Sequence, residues 1–361
     1  MDKEIKLYAG HALSKDRFCL AFHALDNENM RSFVLEYDGT RDDKWSETTA
    51  NRNIMDICEY TPPNKSEGYA LMADEGDIYT IADLDIGSYK IPGAGLYSKD
   101  AVNKYGACTD IENVGGELFV CGLDRQFYQG TPETEWDFIR HDDFAPESGY
   151  KDIYLYGLAA ENSENVYFIA EAQSSADARP ELEAQIEAAR EARDREEYRR
   201  LIKIQRSEWK KPQGQIWHWD GDAWESFDMH GRVTPQCIFM ERPDKVWIGM
   251  SDGTIHCGNA EDGFDEIAEM DATIFSIAKF QDKVIFSAGY ALYQAKDIEG
   301  TDKNELNPKP LKPKMPGSPV PIKLQPVGDV LFYFDAHLGA YMWDGDKDWT
   351  YFSIPKELLP D

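Results

Sequence analysis

One rhythm recurs along this chain: a hydrophobic strand, a short polar turn, then a second strand that carries aromatic residues. Lys245–His256 is the clearest copy, and Glu117–Tyr128, Lys283–Tyr293 and Asp329–Tyr341 match it closely. Gly68–Tyr79 is looser, and Glu164–Ala170 is a copy broken by an insertion. A second motif follows most of them, a hairpin closed by Asp, Gly or Asn between aromatic strands. It is seen in Tyr37–Trp45, Gln129–Trp136, Trp219–Trp224, Cys257–Phe264 and Trp343–Trp349. Asp and Gly tolerate the positive φ that tight hairpin turns require, so the pairing is turn chemistry. The aspartates at 220, 222, 344 and 346 lack the closing Glu of a calcium loop.

Together the two motifs make a four-stranded unit recurring about every 40 to 50 residues, the signature of a β-propeller blade. The expected fold is all-β, one propeller domain over residues 1–361 with seven four-stranded blades. These fall near 4–48, 54–92, 105–141, 152–229, 234–270, 272–312 and 320–355. The first blade depends on Ile5–Tyr8 serving as its innermost strand; six blades and an irregular hairpin is the alternative. The rhythm resembles the seven-bladed propeller superfamily in the broad sense. It lacks the recurring Gly-His and Trp-Asp pairs of WD repeats, and Gly115-Gly116 is a single instance of the Kelch double glycine.

Two segments interrupt the blades. Ser174–Pro212, within the fourth blade, is rich in Ala, Glu and Arg and predicts helix from about 180 to 209. Asp177 suits its cap, Pro180 its first turn, and a break near Asp194 gives two short helices. With ten Lys/Arg and nine Asp/Glu it is nearly neutral. Asn304–Pro321 holds six prolines, which oppose sheet ladders and predict an extended surface loop bearing Lys309, Lys312 and Lys314.

The net charge of −29 repels phosphates and anionic lipid, so neither nucleic acid nor membrane is an expected partner. It would instead steer a basic protein. Six cysteines at unrelated spacings form no metal motif and suit a reducing compartment. The amino-terminal residues read as no signal segment, and the expected location is cytoplasmic.

No HExxH, GxSxG, P-loop or GxGxxG pattern occurs. Inner-strand polar residues at the central channel are Asp56, Glu59, Thr109, Asp110, Gln236, Ser276 and Gln325, a mixed set. No catalytic residue, metal or cofactor is therefore expected. Tyr97, Tyr105, Tyr150 and Tyr290 fall in connections and suit interfaces. In overall character the chain also resembles acidic propeller-type immunity proteins of bacterial toxin systems, which bind and neutralise one cognate toxin. That resemblance implies a non-enzymatic inhibitor of a basic partner such as a toxin nuclease. Expected contacts are Asp74, Glu75, Asp77, Asp142, Asp143 and Glu147, with Tyr198, Arg199 and Leu201 on the helical insertion. The alternatives are a general interaction scaffold and a metal-dependent hydrolase or lactonase using the channel.

Overall fold

The structure, a computed structural model, describes residues 5–24, 31–97, 104–139, 150–174, 180–192, 194–208, 213–229, 233–296, 306–312, 320–337, 339–346 and 348–359. Seven antiparallel sheets of four sequence-consecutive strands form the ring. Blade 1 comprises β1 (Ile5–Ser14), β2 (Arg17–Ala24), β3 (Ser32–Asp38) and β4 (Trp45–Ala50). Blade 2 has β5 (Ile54–Tyr60), β6 (Gly68–Ala73), β7 (Asp77–Ala82) and β8 (Asp85–Lys90). Blade 3 has β9 (Cys108–Val114), β10 (Glu117–Gly122), β11 (Gln126–Gly130) and β12 (Trp136–Phe138). Blade 4 has β13 (Tyr150–Asn162), β14 (Asn165–Ser174), β15 (Gln213–Trp219) and β16 (Trp224–Asp228). Blade 5 has β17 (Pro235–Arg242), β18 (Lys245–Met250), β19 (Thr254–Asn259) and β20 (Gly263–Glu269). Blade 6 has β21 (Ile274–Phe280), β22 (Lys283–Ala288), β23 (Ala291–Lys296) and β24 (Lys309–Pro310). Blade 7 has β25 (Pro321–Val327), β26 (Val330–Asp335), β27 (Gly339–Trp343) and β28 (Thr350–Phe352).

Seven blades therefore stand, and the first is a full one. The second strands, such as β6, β18 and β26, are buried at every position because neighbouring blades cover both of their faces. That explains their unbroken apolar runs, since alternation is needed only where one face meets water. Burial of each large apolar side chain contributes roughly 1.5–3 kcal/mol. The ring closes without an exchanged strand: blade 7 packs on blade 1 through Leu7, Phe18 and Phe22 against Phe332 and Phe334. Gly10 is required at this seam, because a Cβ there would collide with the Phe334 ring.

The Asp-Gly hairpins are turns in the expected sense. Asp220 Oδ1 accepts the Asp222 and Ala223 amides at 2.9 and 2.7 Å, and Gly221 has φ +95°. The Pro-rich stretch departs from its expectation. Lys309–Pro310 is the outermost strand of blade 6, pairing with Tyr293 and Gln294, while Leu306 and Leu311 are buried. An outermost strand needs only one set of backbone donors, so proline is admitted there.

The insertion forms α1 (Pro180–Glu191) and α2 (Arg195–Glu208), broken where the sequence suggested. Asp194 Oδ1 caps α2 by accepting the Glu196 and Glu197 amides at 3.2 and 3.0 Å, a contact worth about 1 kcal/mol. The two helices pack on each other as an arm. Asp177 lies outside the described residues.

Candidate functional site

Within each blade the strands alternate in direction, so connections sort onto two ends of the ring. First-to-second and third-to-fourth turns of all seven blades gather at one end, the turn face. Second-to-third connections, blade-to-blade connections and the helical arm gather at the other, the crossover face. Among the described residues the turn-face connections hold eighteen Asp/Glu and four Lys/Arg (Lys15, Arg41, Lys44 and Lys65), net −14. The crossover-face connections, arm aside, hold five acids and five bases, net zero. Among the described connections the acidic excess lies on one end.

The sequence-selected acids at 74, 75 and 77 lie on the balanced crossover face. Glu75 is only 3% exposed, and its carboxylate accepts the Leu96 and Tyr97 amides. Lys90 donates to the Glu75 carbonyl oxygen and pairs with Asp77 at 3.3 Å, and Arg52 faces Asp77 at 3.6 Å. Asp74 accepts from Asn53 Nδ2; burial, then the neighbouring Glu75, raises its pKa. Glu75 thus staples the β8-to-β9 connection to blade 2 and has no free carboxylate to offer, while Asp74 and Asp77 are taken up within blade 2 and its junction with blade 1. Asp142, Asp143 and Glu147 lie outside the described residues. On the arm, Tyr198 and Arg199 are exposed, whereas Leu201 is buried at 1% exposure. Tyr97 and Tyr290 are open to solvent on the crossover face, and Tyr105 packs on Phe138. The Tyr150 side chain lies outside the described residues.

The channel candidates divide by role. Every innermost strand carries at least one register shift, and Tyr8, Met55, Thr109, Tyr156, Gln236, Phe275 and Ile322 are extra residues at such shifts. A bulge re-aims the side chain that follows it, here Ala9, Asp56, Asp110, Gly157, Cys237, Ser276 and Lys323. Several of these cap the open backbone edge of the next innermost strand. Asp110 Oδ2 accepts the Leu158 amide at 2.7 Å, and Ser276 Oγ accepts the Leu324 amide at 2.9 Å. Thr109 donates to the Leu155 carbonyl at 2.8 Å, and Gln325 brackets the Ala12 amide and carbonyl at 2.8 and 3.0 Å. Unpaired backbone groups are costly when enclosed, so these polar residues are explained as edge caps. Glu59 is exposed, and Gln236 bonds locally to Thr234.

A charged cluster remains in the lumen. Lys323 of blade 7 passes the short Ala9 and approaches Asp56 of blade 2 at 3.6 Å, with Asp110 and Glu112 alongside. Burial, then Asp56, lifts Asp110 well above the carboxylate range, so it keeps a proton toward Asp56. Burial pushes Glu112 up to about 7, although it accepts the Ala160 amide at 2.9 Å. Burial opposes the Lys323 charge, but the surrounding carboxylates outweigh it and raise its pKa. His11 is lowered well below 6.5 by burial and then by Lys323. The sequence reading missed Glu112 and Lys323. Glu112 shares a strand face with Asp110 two residues away, which was an available signal. Among the described residues, no three His, Cys, Asp or Glu side chains are grouped to hold a metal ion. No described helix is long and apolar enough to cross a membrane.

No protein-family model and no curated protein sequence matches the chain. Solved structures do. YCF48 from Cyanidioschyzon merolae superimposes with TM-score 0.57 at 12% identity, covering 95% of this chain and 96% of that one. YCF48 bound to D1 peptide gives 0.56 at 11%, with 95% and 94% covered. The WD40 β-propeller domain of Doa1 gives 0.56 at 10%, with 100% and 97% covered. At such identities the likeness establishes the fold alone: this chain is a seven-bladed β-propeller.

Proposed function

We propose that the protein is a non-catalytic binding propeller whose turn face docks a basic protein, and more specifically that it masks a basic working surface such as that of a toxin nuclease. The charge contrast between its two faces carries this reading. Among the described connections, eighteen carboxylates against four cations on one end, with balance on the other, orient an approaching basic surface as well as attract it. A related fold is solved as YCF48 with D1 peptide bound, so a propeller of this size can serve as a peptide platform. The test is capture of a partner from the native lysate at low salt, followed by elution with salt and a nuclease assay on what elutes. Elution of a basic protein whose activity the propeller suppresses supports the full reading. A basic protein without that activity leaves the interaction scaffold, and recovery of none overturns both.

The lumen cluster favours a second reading, a hydrolase. Protonated Asp110 beside Asp56 is the arrangement of a carboxyl acid–base pair. Turnover of ester or lactone substrates that Asp110→Asn abolishes would establish it in place of the binding reading.

A further inference from the structure

A cleft of about 150 Å³ opens at the turn-face rim between blades 2 and 3. Pro62, Pro63, Ala82 and the Tyr89 ring wall it, and Glu133 stands at its side. The Tyr60 hydroxyl donates to Glu133 Oε2 at 2.5 Å. Burial and then Glu133 raise the Tyr60 and Tyr89 pKa values, so both phenols stay neutral beside the carboxylate. Neutral donors hold Glu133 in place without cancelling its charge. Lys65, Thr80 and Asp85 also line the cleft, and Lys65 is engaged there by Asp85 at 3.0 Å. Gly87 keeps the space: a Cβ there would overlap both Thr80 and the Tyr89 ring. The cleft thus has apolar stretches that fit a methylene chain and, with Lys65 already paired to Asp85, a second carboxylate at Glu133 that fits a cation at its tip.

A second observation lies across the outer edge of blade 2, where Leu84 and Ile86 line a separate cleft with Val34 and Thr48 of blade 1. The β7–β8 turn is Asp83-Leu84, and both residues have positive φ, 53° and 62°. Asn-Gly or Asp-Gly suits such a turn, whereas a leucine is strained there. Little packing compensates, because Leu84 is 66% exposed and Ile86 beside it is 50% exposed. A strained apolar residue held out in water on the edge that divides the two clefts is arranged for contact with another molecule.

We propose that this cleft is the anchor of the turn face, taking one lysine or arginine side chain of a basic protein while Leu84 and Ile86 pack on an adjoining apolar residue of the same segment. This rests on the binding reading above and locates it. The probes are octalysine and an octalysine with one central leucine, titrated against the full chain by fluorescence anisotropy at low and high salt. Glu133→Gln should weaken octalysine about tenfold, while Asp222→Asn, on a distant turn, should weaken it less than about twofold. Leu84→Gly should raise the melting temperature yet erase the affinity that the central leucine adds. A purely structural leucine would not separate those two readouts. Equal effects of Glu133→Gln and Asp222→Asn, or retention of the leucine gain in Leu84→Gly, overturns the anchor and leaves the face. Failure of wild-type protein to bind octalysine even at low salt overturns the face as well.

Discussion

The turns at one end of the ring and the connections at the other come from the same seven blades, yet they treat charge in opposite ways. On the crossover face Asp74, Glu75 and Asp77 are taken up by amides, Asn53, Arg52 and Lys90. On the turn face the capping aspartates bond one or two turn amides and keep their charge, and residues such as Asp42, Asp43 and Asp222 stand exposed. The difference separates acids that hold the chain together from acids that act on the surroundings. It also places the lumen with the first group, since Lys323 answers its carboxylates.

That separation can be broken experimentally. Reversing Asp42, Asp43, Asp222 and Asp346 to lysine should slow association with a basic protein by about 100-fold at low salt. The melting temperature should barely change. Stopped-flow mixing checks the rate, and an equal loss per charge from Asp252→Lys and Asp271→Lys on the crossover face would erase the comparison. In the lumen the pattern should invert. Lys323→Met leaves Asp56 and Glu112 without their cation and should cost about 2–3 kcal/mol at pH 8, with binding intact. Denaturant titration measures it, and the loss should shrink at pH 5, where Glu112 takes a proton.

Glu112 sharpens the same point through pH. Its folded pKa of about 7 lies above the ordinary glutamate value, so the native state holds the extra proton. Its contribution is therefore fully present below about pH 4.5 and is lost as pH rises through 7. The side chain is not completely enclosed, which reduces the effect to about 2 kcal/mol between pH 5 and 8. Glu112→Gln keeps the acceptor for the Ala160 amide and should flatten that slope. An unchanged slope would place the ionisation elsewhere. The smallest effect is expected from the arm. Replacing residues 173–212 with Asn-Gly closes β14 onto β15 across the Ala172–Gln213 pair and should change stability by less than about 1 kcal/mol. A collapse of folding would show that the arm braces blade 4.

Much of the fold was legible because blade strands leave strong local marks. Runs such as Lys245–Met250 are apolar throughout, and Asp220-Gly221 is turn chemistry that works at short range. The helix break at Asp194 was legible for the same reason. Lys309–Pro310 was not, because its strand status depends on lying outermost, a fact of position and not of composition. The candidate sites were less visible. The acids of both faces are interleaved along the chain, and only the parity of the connection assigns each to an end. The cleft joins Tyr60, Tyr89 and Glu133, which no local pattern relates.

The seam between blades 1 and 7 has a mechanical consequence. At the other six junctions a peptide crosses from blade to blade, so separation there is limited by covalent chain. At the seam the Leu7 amide meets the Ala336 carbonyl, Gln325 holds Ala12, and aromatic rings interlock around Gly10. The ring is thus a bracelet fastened by non-covalent contacts, and the first gap to open under load should run between Phe18 and Phe332.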